Sequence, residues 1–364
     1  MSLRPDETLQ KALLSTTSRL VGEYETDDVL LTHAWPDFYD QFASIRWNEG
    51  PASRSAFVLA FRTEPVEKGV GKPLPEYSPT GDVVASYLSV LYGKRFDHHG
   101  LIEGTGFFRV PDLTHFGTLC NPSLRHNSHA PRADYPIPLN LVEVAHLGPL
   151  LHAKPLAPAF VQTFQGAAKF YLQALQNCER EPEVAYLHLI TAGEILSNFN
   201  DFDKHELLDE QSKTLLDTIR AQLPNGAAVA NQITEKLLLV KKRFVRTITS
   251  LVDPGFFERT ESKEQVARLM PDSFEAAIGA AYDLRSKYVH TGIPFGGWVS
   301  LRLAGSNTEV QVGKPVVSDR DFGNILARAP TLVGLERIIR YCLLRFAGVH
   351  GGYTNAQSVD GTNA

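Results

Sequence analysis

The stretch "PDSFEAAIGAAYDLRSKYVHTG", residues 271–292, decides how the second half of the chain is read. At about 100° per residue on a helical wheel, Phe274, Ile278, Ala281, Leu284, Tyr288 and Val289 fall on one arc, which predicts a helix with a core-facing stripe. Asp272 as N-cap with Glu275 three residues on predicts its start, because such a pair satisfies otherwise orphaned amides. Gly292 suits a C-cap and Pro294 cannot continue a helix, so the stretch stops there. Arg285 projects from near the centre of the apolar arc. An unpaired buried guanidinium would cost several kcal/mol, so it requires a carboxylate, an anionic ligand or a subunit interface.

Upstream, "PEVAYLHLITAGEILSNF", residues 182–199, carries Pro182 in its first turn and is apolar nearly all round, as a central core helix would be. It nevertheless holds Glu194. Pairing Glu194 with Arg285 would satisfy both charges, and the planar guanidinium suits a two-bond grip on a carboxylate. His290 faces elsewhere: five residues along a continuous helix turn its side chain roughly 140° from that of Arg285. The two share one site only if the helix breaks near Val289 or a second copy of the chain brings them together. The plain alternative is structural, with Glu194 and Arg285 as an ion pair and His290 capping carbonyls where the helix dipole favours its protonated form.

Other helices surround this pair: "APAFVQTFQGAAKFYLQALQN" over residues 157–177, two amphipathic stretches over 206–223 and 228–252, and "TLVGLERIIRYCLLRFAG" over 331–348. "GGWVSLRLAGSNTEVQVGK", residues 296–314, reads as a small hairpin turning at Gly305–Asn307. The first 150 residues or so mix strand-like runs such as "SAFVLAFR" (55–62), one helix over 82–96, and loops rich in Pro and Gly, among them residues 64–82 and 120–140. The expected fold class is α+β. A mixed α+β domain over residues 1–153 precedes an all-α bundle with a small β-hairpin insertion over 154–349, and a disordered tail follows over 350–364.

The chain's 364 residues exceed one average domain, and 43% apolar residues can bury a core in each of two. A net charge of -5 does not describe a general nucleic-acid binder, so any basic footprint must be local. The one notable patch is "VKKRFVRT", residues 240–247, where Lys242 and Arg246 stand one helical turn apart and could follow an RNA backbone or form a solvated face. Cys120, Cys178 and Cys342 are odd in number and far apart, which argues against a disulfide framework. The N-terminus lacks the basic-then-apolar order of a secretory signal, and no apolar run approaches the roughly 20 residues of a membrane span. A soluble cytoplasmic protein without membrane contact is expected.

Rival chemistries find less support. His98, His99, His115, His126 and His129 crowd one region, and His126-x2-His129 with Asp134 nearby could hold zinc or iron, but HExxH and facial-triad spacings are absent. "GTGFF" after Glu103 lacks the context of a dinucleotide site, and there is no GxSxG elbow. Neither a metal nor a cofactor is expected.

The segments "AYLHLITAGEILSNF" and "AYDLRSKYVHTG" together resemble the HEPN superfamily, and most closely its Apea-like branch. The likeness covers about residues 155–348, with the hairpin as an apparent insertion. The branch's Arg, small polar residue and His match Arg285, Ser286 and His290, and its earlier-helix Glu matches Glu194. The resemblance implies a metal-independent endoribonuclease, a toxin or an effector of antiviral defence or stress, working as a homodimer on RNA. His290 would be the general base or acid, Arg285 would stabilise phosphoryl charge, Glu194 would orient Arg285, and Ser286 would hydrogen-bond the phosphate or the imidazole. The alternative is a helical module without turnover that binds nucleotides or proteins. The first domain would then sense an unidentified ligand or protein trigger.

Overall fold

The computed structural model describes residues 7–34, 54–64, 69, 71–152, 156–203, 207–236, 240–300 and 307–354. Six strands form one antiparallel sheet: β1 (Thr8–Thr16), β2 (Tyr24–Glu25), β3 (Val29–His33), β4 (Ser55–Thr63), β5 (Phe96–Gly104) and β6 (Phe107–Phe108), in the order β2-β3-β4-β1-β5-β6. β1 lies inside, paired with β4 from Thr8 opposite Thr63 to Thr16 opposite Ser55, and with β5 on its other edge. Helix α1 (Ser78–Tyr92) runs between β4 and β5. It ends where Gly93 takes φ 62° and returns its amide to Ser89, a left-handed conformation that glycine adopts without strain. The predicted helix over 82–96 is thus set four residues too late, and Phe96 belongs to β5.

A 3-10 turn (Leu141–Leu147) and the single-turn α2 (Gly148–Leu151) lead to α3 (Pro158–Asn177) and α4 (Pro182–Phe199). Then follow α5 (Glu210–Gln222), α6 (Gly226–Lys236), α7 (Val240–Leu251), α8 (Pro254–Glu258), α9 (Pro271–Thr291), α10 (Arg320–Arg328) and α11 (Leu332–Val349). The molecule is α+β with a helical C-terminal part, as the sequence predicts. One hydrophobic core runs from Leu14 and Phe57 in the sheet through Tyr87 and Leu91 of α1 into Phe164, Leu189 and Leu343 of the helices.

Several local expectations are corrected. The stretch 228–252 is helical in α6 up to Lys236 and in α7 from Val240, and residues 237–239 lie outside the described residues. Asp272 does not cap α9; Met270 holds that position and Pro271 opens the helix. Residues 296–298 form a 3-10 turn instead of a strand, Val310 makes an isolated bridge to Pro330, and residues 301–306, with most of the expected hairpin turn, lie outside the described residues. Residues 350–354 are not a loose tail: the Thr354 amide donates to the His146 carbonyl at 3.0 Å, and Tyr353 stacks on the His146 ring at 5.2 Å.

A buried ionic cluster joins the loop before residue 140 to α11. Arg132 grips Glu336 with two bonds of 2.9 and 2.8 Å and reaches Glu261 at 2.9 Å. The Tyr171 hydroxyl donates to Glu336 at 2.5 Å. Arg340 donates to the Val90 and Leu91 carbonyls, at 3.0 and 2.6 Å, and so closes the last turn of α1 from a helix late in the chain. Asp134 lies 3.6 Å from Arg132, 3.8 Å from Arg337 and 3.6 Å from Arg340. Burial alone would raise the Glu336 carboxyl; the Arg132 guanidinium overrides it and brings the group down to about 2.

Candidate functional site

The apolar arc of α9 behaves as predicted over most of its length: Phe274, Ile278, Ala281 and Leu284 are buried, while Val289 at the far end is exposed. Arg285 is not in the core. Its side chain is 29% exposed and that of Glu194 is 16% exposed, so the pair stands at the rim where α9 crosses α4. Arg285 Nη2 donates to Glu194 Oε2 at 3.5 Å, a single long contact in place of the expected two-bond grip. The other oxygen, Oε1, accepts the Tyr282 hydroxyl at 3.0 Å.

Tyr282 therefore takes half of the carboxylate that sequence reasoning gave wholly to Arg285. Its position three residues before Arg285 was the available signal, since such residues share one helix face. The Arg285 guanidinium also lies 5.8 Å from the Tyr282 ring centroid. Burial, and then the Glu194 carboxylate beside it, pushes the Tyr282 hydroxyl up to about 12, so it stays a donor through the neutral range. Glu194 is thus an orienting acceptor with two donors, and Arg285 keeps nitrogens for a further acceptor.

His290 is exposed and Ser286 is half-buried. Helix α9 is unbroken to Thr291 and ends in the left-handed Gly292 at φ 69°. The break near Val289 that would turn His290 toward Arg285 does not occur. Within one chain the imidazole stays roughly 140° around the helix and about 7.5 Å along it from the Arg285 position.

The basic stretch lies on α7, across a groove of about 830 Å³ from α9. Lys242 donates to Asp209 at 2.9 Å and Lys241 to Asp283 at 2.6 Å. The Lys242 contact and the Ser212 amide hold Asp209 well below the usual carboxylate range. Arg246 lines the same groove, opposite Asp272 and Glu275. The groove is of mixed charge, so its lysines are already neutralised in part for a polyanion.

The histidine-rich region disperses. His98 meets Asp82 at 2.9 Å, His99 meets Ser15 at 2.8 Å, and His126 meets Cys178 at 3.1 Å. Burial drives the His126 imidazole down to about 3 and the Cys178 thiol up, so this pair is neutral. Asp134 is committed to arginines. Among the described residues no three His, Cys, Asp or Glu side chains gather as a metal site. All three cysteines are free and buried. No described helix is long and apolar enough to cross a membrane.

No protein-family model, curated protein or solved structure matches this chain.

Proposed function

We propose that the chain is a metal-independent endoribonuclease of the HEPN type that acts on RNA as a homodimer, as an antiviral-defence, stress or toxin-like effector in the cytoplasm. The observation that supports this reading is the half-exposed Arg285, held by Glu194 and Tyr282 at the surface with Ser286 beside it and donors to spare. RNA carries its own nucleophile, the ribose 2′-hydroxyl. The protein need only supply a proton shuttle near neutral pH and a fixed positive charge on the phosphate. His290 takes the proton in this reading and Arg285 meets the charge that develops on the phosphoryl oxygens. The 2′-oxygen displaces the next nucleotide's 5′-oxygen from phosphorus, so one product ends in a 2′,3′-cyclic phosphate and the other in a 5′-hydroxyl that takes up a proton. His290 and Arg285 diverge on one α9, so the working site lies on a two-fold axis, where each copy supplies His290 to the other's Arg285.

Mixed RNA incubated with the full chain and a chelator tests it. Cleavage is expected, reduced by about 10² to 10⁴ in His290→Ala and in Arg285→Ala. Folded variants that cleave at the parental rate would overturn the assignment. The unbroken helix favours a second reading, a helical module that binds nucleotides or proteins without turnover. Saturable binding with no cleavage by the parent would select it.

A further inference from the structure

A cleft of about 790 Å³ opens between α3, the first half of α1, the start of β5 and the loop at 115–119. That volume lies within the range of small-molecule sites, about 300 to 1,000 Å³. Its long wall is one face of α3, where Gln165, Lys169, Gln173 and Gln176 recur at helical spacing, with Arg180 just past the helix end.

The acids that line the cleft are already occupied. Asp97 accepts from Arg95 at 3.1 Å, from Arg54 at 2.8 Å and from Gln176 at 3.0 Å. Glu179 accepts the Asn121 amide at 2.8 Å and Asn127 at 2.9 Å. Asp82 accepts from His98. The His98 ring is seated against Gly81, where a side chain's Cβ would meet Nε2 at 2.3 Å, so the glycine fixes this corner.

The cations differ. Arg95 is 6% exposed and spends Nε on Asp97 and Nη1 on the Cys120 sulfur at 3.4 Å. Its Nη2 has no acceptor among the described residues, and the residue lines the cleft. Lys169 and Arg180 likewise have no acceptor among the described residues. Gln176, which reaches Asp97 and the Phe96 carbonyl, puts the β5 end of the cleft one helical turn from Arg180. Lys169 stands about 10 Å back along α3. The three cations face three carboxylates, Asp82, Asp97 and Glu179, so the cleft is balanced in formal charge. The donors left over nevertheless belong to the cations, two guanidinium groups near one end and an ammonium further in, and suit a phosphate whose oxygens each accept charge-assisted bonds.

We propose that this cleft binds a small phosphorylated metabolite. Its phosphate lies between Arg95 and Arg180, and its hydroxyl- or amide-bearing remainder runs along Gln173, Lys169 and Gln165. The site is apart from Arg285 and does not depend on the ribonuclease reading.

Calorimetric titration of the full chain tests it with three probes: inorganic phosphate, a hexose monophosphate and a nucleoside 5′-monophosphate, the last two beside their unphosphorylated counterparts. At least one phosphorylated probe is expected to bind saturably while its counterpart does not, and the probe that binds identifies the source of the phosphate. Arg180→Glu and Lys169→Glu, both at exposed positions, should each weaken that binding about tenfold or more with unchanged thermal unfolding. Absence of binding by all three probes at millimolar concentration, binding indifferent to the phosphate, or binding that survives both charge reversals would overturn the proposal. RNA plays no part in this readout, so its failure and that of the nuclease reading are separable.

Discussion

Arg132, Arg337 and Arg340 are each about 1% exposed, whereas Arg285, which looked the most misplaced in the sequence, is 29% exposed. The three interior arginines spend most of their donors on carboxylates and backbone carbonyls, and Arg337 also lies 3.8 Å over the Phe256 ring. Arg285 has one long contact at 3.5 Å and an orienting tyrosine nearby. Depth of burial is therefore a poor guide to chemistry. A guanidinium whose nitrogens are taken is part of the scaffold; one held by a single side and partly open to solvent has capacity left for a ligand.

The largest effect should come from Glu336. Glu336→Gln keeps the volume but removes the charge from between Arg132 and Tyr171. Loss of about 3 to 5 kcal/mol in denaturant unfolding is expected, as for other broken buried pairs. The parent should also lose stability in acid. A carboxyl that sits near 4.5 in the unfolded chain and about 2 in the folded one contributes roughly 3 kcal/mol above pH 4.5, and this disappears as pH falls toward 2. Glu336→Gln should show a flatter acid limb. A variant as stable as the parent would break the contrast with Arg285.

A smaller effect is expected at the rim. Glu194→Gln and Tyr282→Phe each perturb a partly exposed contact and should cost about 1 kcal/mol or less in the same unfolding measurement, because solvent screens such pairs. If RNA cleavage falls far more than stability does, the separation of scaffold from site is sharpened. If stability falls as far as in Glu336→Gln, the rim pair is scaffold too. The smallest effect belongs to His290→Ala, an exposed position at a helix end, which should shift unfolding by no more than about 0.5 kcal/mol.

Much of the helical part could be read from periodicity, because α3, α4, α9 and α11 are long and carry apolar stripes or all-round apolar faces. The pairing of Glu194 with Arg285 was also legible, since two opposite charges on core helices must find partners. The sheet was less so. β4 is a continuous apolar run, as a strand buried on both faces should be, but β1 reads "TLQKALLST" and β5 reads "FDHHGLIEG", with helix formers in one and polar residues and glycine in the other. Their strand state comes from pairing with distant segments, which local propensity does not encode. The ionic cluster left a trace in "LERIIR", residues 335–340, where Glu336 and Arg340 share a helix face in an otherwise apolar run. Their partners Arg132 and Asp134 lie in a loop whose depth only tertiary contact reveals. The polar cleft was invisible for the same reason, as its cations are Arg95 just before β5, Lys169 on α3 and Arg180 just past that helix.

The clasp of Arg132 on Glu336 spans 204 residues, and Arg340 reaches Val90 across 250. The first half of the protein therefore emerges from the ribosome with Arg132 lacking its Glu336 partner and the Val90 and Leu91 carbonyls lacking Arg340, long before α11 is made. Contacts this remote in sequence slow the search for the native state, so the nascent first half depends on late synthesis, and a stop codon placed before α11 should yield a fragment that chaperones and proteases claim.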